Sequence, residues 1–591
     1  MKDFLKYVSA TVVGILVFTI IAGILTMMSL VGMVASGQAT KSVKDNSVLV
    51  LNLSGQMQEQ AEDDIMSMLS NSVSEQPGLL ETLNAIKKAK DCEEIKGIYI
   101  EAGAFSADFA QLQEIRQALL DFKKSGKWII AYGDVYTQGT YYLASAADKV
   151  YLNPQGEVDW HGLGGQPMFV KDLLQKFGVR FQVVKVGKYK SATEMFTEDK
   201  MSDFNRHQTE VYINGLWANV CKEVGASRKL SVETLNIYAD SLIMFSPQED
   251  LISKKMIDGL LYHDQIRAEV KKLLKLEEKD EINQVTIGDM QNVKEKADGD
   301  LIAVYLAYGE IVDTESMGLM DGNGHKIVSG PTCKDLEKLM NDDKVKAVVI
   351  RVNSPGGSAY ASEQIWRQVS LLKEKKPVVI SMGGYAASGG YYISCNANWI
   401  LAEPTTLTGS IGIFGMIPDF SQLVTQKLGV KFDEVKTNKH STFGNTMARP
   451  MSEEEISYLQ RYISRGYSTF RQRVTDGRKL STEQVEEIAQ GHVFLGQDAL
   501  NIKLVDELGG LDVAVAKAAK LAKLDEYHTE TYPAKDSMLD QILKQATGQG
   551  TYLDQQMRAM LGIYYEPFML MKTMNGQASV QARMPFWINV K

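Results

Sequence analysis

Two glycine-rich turns carry residues that could do chemistry. Gly383–Tyr392, GGYAASGGYY, follows the apolar run PVVISM and holds Ser388 between Ala387 and Gly389. Small neighbours leave a hydroxyl open to a carbonyl carbon. A turn of this kind also exposes backbone N–H groups where an oxyanion would form. A serine so placed suits acyl transfer, although the same residues would also make a plain tight turn. The second turn, Asn353–Ser358, NSPGGS, follows AVVIRV in the same way. Neither is a phosphate fingerprint, because G-x-x-x-x-G-K-[ST] and G-x-G-x-x-G are both absent.

An internal repeat sharpens the serine reading. Ile95–Ile100, IKGIYI, and Val345–Ile350, VKAVVI, lie 250 positions apart. The same offset pairs Gly133–Ser145, GDVYTQGTYYLAS, with Gly383–Cys395, GGYAASGGYYISC. Ser388 then stands opposite Gln138, and Gly357 stands opposite a stretch around Phe105–Ala107 with no glycine pair. A purely structural turn would be needed equally in both copies, so the difference favours chemistry.

A serine nucleophile needs a base. Val184–Ser191, VKVGKYKS, aligns with Val435–Thr442, VKTNKHST, which sets Lys190 opposite Ser441. One copy holds the serine and the other a lysine that its counterpart lacks. A site built across the copies would show this split. Lysine is a base only when neutral, which requires apolar burial or a cationic neighbour. Tyr189 and Met195 could exclude water, and Lys185 and Lys188 could add repulsion. A solvated basic loop is the plainer alternative. His440, one place from the lysine position, is the rival base, but no motif marks the acid a triad would want.

Elements must position these groups. Each copy opens on a β-branched run, Ser47–Leu53 and Leu301–Leu306. A third run, Trp128–Ala131 and Val378–Ser381, follows a stretch of helical periodicity such as Ala361–Lys373. Short continuous apolar runs alternating with helices predict an α/β fold with mostly parallel sheet covered on both faces. Ser481 and Gln484 have capping-box spacing at the start of a surface helix. The copies are expected at about 46–298 and 299–530. The tail, 531–591, is read as a packing or subunit-contact arm, or else a membrane-surface contact, with helical pieces near Asp536–Ala546 and Tyr552–Leu561.

Residues 1–45 carry a further element. No charged side chain occurs between Tyr7 and Thr40. The apolar stretch at about 8–35 exceeds the roughly 20 residues a transmembrane helix needs and is too long for a signal-peptide core. Lys2, Lys6 and the α-amino group on one side, against Lys41 and Lys44 on the other, slightly favour an N-terminus inside and the rest of the chain outside the cytoplasm.

Composition limits the alternatives. A chain of 591 residues with 45% hydrophobic content is neither disordered nor fibrous. Its net charge of −9 and lack of a basic run argue against nucleic acid. Cys92, Cys221, Cys333 and Cys395 form no C-x-x-C pair, and the histidines show no ligand spacing. A metal-dependent mechanism is not expected.

Several motifs together resemble one family. GKYKSATEMF around Lys190, NSPGGS, SMGGYAASGGYYIS around Ser388, and TLTGSIGIFG at Thr406–Gly415 look like the long, tandem-repeat form of signal peptide peptidase A. The match runs through the N-terminal stretch and both copies and weakens in the tail. The resemblance implies tandem crotonase/Clp-protease-like repeats after a single transmembrane helix. It implies a serine protease of the Ser–Lys type, with Ser388 as nucleophile and Lys190 as general base. Ser410 would help hold the lysine amine, and backbone N–H groups of Gly357 and Gly389 would form the oxyanion hole. It further implies a cofactor-free homotetramer in the bacterial inner membrane, facing the periplasm and digesting cleaved signal peptides. Two other classes compete: a crotonase-like enzyme acting on acyl-CoA, and a non-catalytic membrane scaffold.

Overall fold

The computed structural model describes residues 43–61, 78–293, 298–314, 325–534 and 580–583, with isolated positions between 6 and 21. In the first copy the strands are β1 Ser47–Gln56, β2 Ile95–Ser106, β3 Trp128–Tyr136, β4 Lys149–Val158, β5 Arg180–Lys185, β6 Gly259–Leu260 and β7 Asn283–Val285. In the second they are β8 Asp300–Tyr308, β9 Glu310–Val312, β10 Lys326–Val328, β11 Val345–Ser354, β12 Gly356–Ser358, β13 Val378–Ala387, β14 Trp399–Ala402, β15 Leu407–Gly409, β16 Phe414–Asp419, β17 Val493–Leu495, β18 Glu507–Leu508 and β19 Tyr527–Tyr532. The short strand β20, Val580–Arg583, comes from the tail.

The first sheet runs β6-β4-β3-β2-β1-β7, parallel throughout. The second runs β17-β15-β13-β11-β8-β19, with β14 and β18 joined beside β13, and only β15–β17 is antiparallel. Matching elements recur at the same spacing: β2 with β11, β3 with β13, and the helix Asp203–Arg228 with Glu453–Arg478. Helices cover both faces, so Leu49, Ile98, Ile100 and Ile129 in one core, and Val348, Ile350, Val378 and Ile380 in the other, are fully enclosed. This is why the strand runs read as continuous rather than alternating. The helix Thr482–Ile488 begins with the Ser481–Gln484 capping box.

The third sheet joins the copies. Its order is β10-β9-β12-β20-β16-β5, so β5 of the first copy pairs antiparallel with β16 of the second, Lys185 opposite Phe414. That pairing delivers the chain leading to Lys190 against the turn after Gly409.

Among the described residues no helix is long and apolar enough to cross a membrane. The expected span at about 8–35 lies largely outside them, as do the helical pieces expected in the tail.

Candidate active site

β13 ends at Ala387, which pairs with Gly409 at the end of β15. Ser388 and Ser410, the next residues on each strand, therefore stand side by side. The Ser388 N–H donates to Gly409 O at 2.8 Å, and the Ser410 N–H to His492 O at 2.6 Å. Both serines have positive φ, 56° and 51°. Such conformations cost an L residue on the order of 1–3 kcal/mol and persist only where the surroundings impose them. Here the strain aims two hydroxyls at one point.

Lys190 fills that point. Its Nζ lies 2.7 Å from Ser388 Oγ and 3.0 Å from both the Oγ and the carbonyl oxygen of Ser410. Lys190 is 0% exposed, and so is Ser388. Burial holds the lysine well below its ordinary pKa, with no charged neighbour contributing. Lys188, offered by the sequence as a source of repulsion, instead lies over the rings of Tyr189 and Phe204. Desolvation alone therefore favours the neutral amine.

The lysine is held by residues distant in sequence. Tyr189 N–H donates to Gln490 O, and its ring stacks on His492 at 4.2 Å. Burial pushes His492 down to about 4, so its ring is neutral at physiological pH. Gly491 has φ of 81°, and a methyl group there would come within 2.7–2.8 Å of the Lys190 backbone and Cβ. Gln208 Nε2 donates to Tyr189 O and Ser191 Oγ, while its Oε1 accepts from Val493 N–H. The sequence reading missed Gln208, Gly491 and His492.

The other glycine turn comes alongside. Gly356 and Gly357 have φ of 100° and 156° and form β12. A methyl group on Gly389 would come 3.1 Å from Gly356 Cα and 2.7 Å from Ser362 Oγ, so the two turns touch through bare backbone. The turn is anchored by Asn353, whose Nδ2 donates to Glu59 and Asp108 and whose Oδ1 accepts from Tyr385 N–H. Beside it, Arg351 is buried between Glu59 at 2.8 Å and Glu114 at 2.5 Å. All three acids come from the first copy, so the second copy's turn is braced by the first.

His440 does not join this group. It lies between Glu454 and Glu455, 3.8 and 3.5 Å away, against the edge of Tyr458. Ser441, opposite Lys190 in the repeat, bonds within its own exposed turn to Asn438. Among the described residues no group of His, Cys, Asp and Glu could hold a metal ion.

A buried amine whose neutral form is favoured by desolvation, set against a strained serine beside a glycine turn, is an arrangement for acyl transfer. Similarity to known proteins agrees. The profile of peptidase family S49 matches residues 121–277 and again 370–525, and a Clp protease profile matches 300–400. Protease 4 of Salmonella typhi is 40% identical over 82% of this chain and 78% of its own. Protease 4 of Haemophilus influenzae is 34% identical over 84% and 83%. The chloroplastic serine protease SPPA of Arabidopsis thaliana is 31% identical over 82% and 70%. With the profile matched twice and relatives aligned over most of their length, this chain belongs to peptidase family S49 and is a serine protease of the tandem-repeat SppA type.

Proposed function

We propose that the protein is a membrane-anchored endopeptidase that hydrolyses cleaved signal peptides by a Ser388–Lys190 dyad. One observation carries the reading: the fully buried Lys190 Nζ is 2.7 Å from Ser388 Oγ, and burial favours its neutral form. The neutral amine takes the Ser388 proton as Oγ attacks the scissile carbonyl carbon. Backbone N–H groups of Gly357 and Gly389 receive the oxyanion, each such donor being worth roughly 3–4 kcal/mol. The peptide C–N bond breaks, Lys190 returns the proton to the leaving amine, and an acyl-enzyme remains on Ser388. Water, deprotonated by the same amine, releases the acid. Ser410 is the positioning residue that orients Nζ. No cofactor enters the sequence of steps.

The apolar stretch at about 8–35 supports a single transmembrane helix, and the flanking charges, Lys2, Lys6 and the α-amino group against Lys41 and Lys44, favour a catalytic part outside the cytoplasm, in keeping with an inner-membrane enzyme facing the periplasm. The layout that goes with this is an N-terminal segment 1–45, a lysine-bearing copy 46–298, a serine-bearing copy 299–530 and a tail 531–591. Leu428, Val430, Phe432, Val435 and Phe443 are exposed on one irregular stretch, apolar surface of the kind that subunit contacts cover, which supports a homotetramer.

The test is cleavage of a fluorogenic signal-peptide-like substrate by the full chain in detergent. Wild type is compared with Ser388→Ala, Lys190→Ala and His440→Ala, each checked for folding. Activity is lost in the first two and kept in the third. A Lys190→Ala enzyme running near the wild-type rate at neutral pH would falsify the dyad.

A further inference from the structure

The third sheet contains a strand that does not belong to either copy. β20 from the tail lies between β12 and β16, antiparallel to both. Gly356, Gly357 and Ser358 face Arg583, Ala582 and Gln581, and on the other side Phe414 and Gly415 face Gln581 and Val580. Without β20, the inner edges of β12 and β16 would be two unpaired rows of backbone groups, a slot one strand wide. An extended peptide adding to such an edge gains backbone hydrogen bonds whatever its sequence.

The register places β20 against the reacting groups. Ala582 is 0% exposed and packs into the second core. A methyl group on Gly356 would come within 2.1 Å of the Ala582 carbonyl oxygen, and one on Gly389 within 3.1 Å of it. That oxygen therefore sits in the backbone nest formed where the two glycine turns meet, next to Ser388. The following residue, Arg583, extends towards Glu310 at 3.4 Å. The Ala582–Arg583 peptide thus lies where a peptide to be acylated onto Ser388 would lie.

We infer that Val580–Arg583 is a tethered competitor for the enzyme's own peptide slot, with Ala582 in the position that precedes the bond attacked. The inference rests on the Ser388–Lys190 reading above. A competitor on the same chain acts at an effective concentration fixed by its tether, in the millimolar range for flexible links, so it raises the KM for added peptides and leaves kcat unchanged. The enclosed Ala582 also sets the preference: peptides with a small residue before the cut fit the slot as built.

Ala582→Asp in the full chain places an unpartnered carboxylate in an enclosed site and drives β20 out. With a fluorogenic peptide carrying alanine before the cut, KM falls about tenfold or more and kcat stays constant. The free peptide Ser-Val-Gln-Ala then inhibits Ala582→Asp more strongly than wild type. Equal KM values and equal inhibition in the two folded proteins overturn the inference. So does a wild-type rate per site that rises on dilution, which would mean a second copy supplies the strand. Should Ala582→Asp fail to fold, Gln581→Pro, which removes one backbone N–H from β20, must give the same direction of change. Labelling of Ser388 by a serine-directed phosphonate separates the two readings. No labelling in either protein removes the dyad, and the inference with it. Equal labelling rates in both remove only the competitor.

Discussion

At the end of β3 the first copy makes an ordinary helix start. Thr137 has φ of −67°, and its hydroxyl accepts from Thr140 N–H at 3.2 Å. Gln138 turns inward and its Oε1 accepts from the N–H groups of His161 and Gly162. At the end of β13 the second copy has Ser388 at φ 56°, ψ −112°, with no side-chain cap on the helix that follows. The same strand and the same helix thus frame a relaxed, self-capped turn in one copy and a strained, uncapped one in the other, whose hydroxyl is met by Lys190. At the second point of contrast the roles reverse: Lys190 is enclosed and Ser441 is exposed. Each copy thus carries one half of the site, and β5–β16 pairing brings the halves together.

The largest expected effects test that division. Ser388→Ala and Lys190→Ala each lower kcat/KM by about 10⁴- to 10⁶-fold, the range found when one member of a nucleophile–base unit is removed. Lys190→Arg fails equally, because a guanidinium stays protonated. The pH profile sharpens the comparison. A base with a lowered pKa is active only above that pKa, so kcat/KM falls as pH drops through it and is flat above. The acid limb lies well below 10.5. A limb at the ordinary lysine value would mean the amine is solvated in the working enzyme.

Next comes the brace between the copies. Arg351 stands opposite Glu101 in the repeat, and only the second copy's residue is buried against Glu59 and Glu114. Arg351→Ala leaves two enclosed carboxylates without their partner and lowers stability by about 3–5 kcal/mol, read by denaturant unfolding of the folded enzyme. Glu101→Ala, at a half-buried position outside the brace, changes it by less than about 0.5 kcal/mol. Equal effects would mean the two copies are stabilised alike.

Much of this contrast was visible in the sequence, and its limits have physical causes. Continuous apolar runs gave the parallel strands, because burial on both faces leaves no alternation to read. Ser388 and Lys190 stood out because the repeat supplies its own control: each is present in one copy and missing from the other. The two glycine-rich turns stood out as oxyanion candidates, but Ser410 and the choice of the Gly357 and Gly389 N–H groups came only with the family resemblance, since small residues in turns carry little pattern of their own. Gly491, His492 and Gln208 left no local signal at all. Gly491 and His492 meet Lys190 and Tyr189 of the opposite copy, Gln208 bridges Tyr189 of its own copy to Val493 of the other, and what matters about them is the absence of a Cβ, a stacked ring and an amide of the right reach. β20 was equally silent. Four residues of mixed polarity do not announce a strand, and its pairing partners are far away in the chain.

A smaller effect comes from Ser410→Ala. The variant keeps the carbonyl oxygen at 3.0 Å from Nζ and loses only the hydroxyl contact. One hydrogen bond to an amine that becomes charged in the reaction is worth about 1.5–3 kcal/mol, so kcat falls roughly 10- to 100-fold. KM is unchanged, because Ser410 touches the lysine and not the peptide. A change confined to KM would place Ser410 in substrate binding instead.

The smallest change asks whether the first copy could ever host the chemistry. Gln138→Ser in a Ser388→Ala background puts a serine back at the equivalent of the nucleophile position. It should restore no activity, for three separate reasons in the structure. The turn there is capped by Thr137 in ordinary geometry, so nothing strains the new hydroxyl outward. The residue opposite Lys190 is Ser441, which is exposed and cannot serve as a base. The residues opposite Gly356 and Gly357 in the repeat are Ser106 and Ala107, so the glycine pair that would receive an oxyanion is missing. The variant should still cost about 1–2 kcal/mol of stability, because the N–H groups of His161 and Gly162 lose their shared acceptor. Any cleavage above the Ser388→Ala baseline would show that the first copy's turn is less committed to structure than its hydrogen bonds indicate. A loss of stability without activity would leave the division of labour between the copies as the geometry draws it.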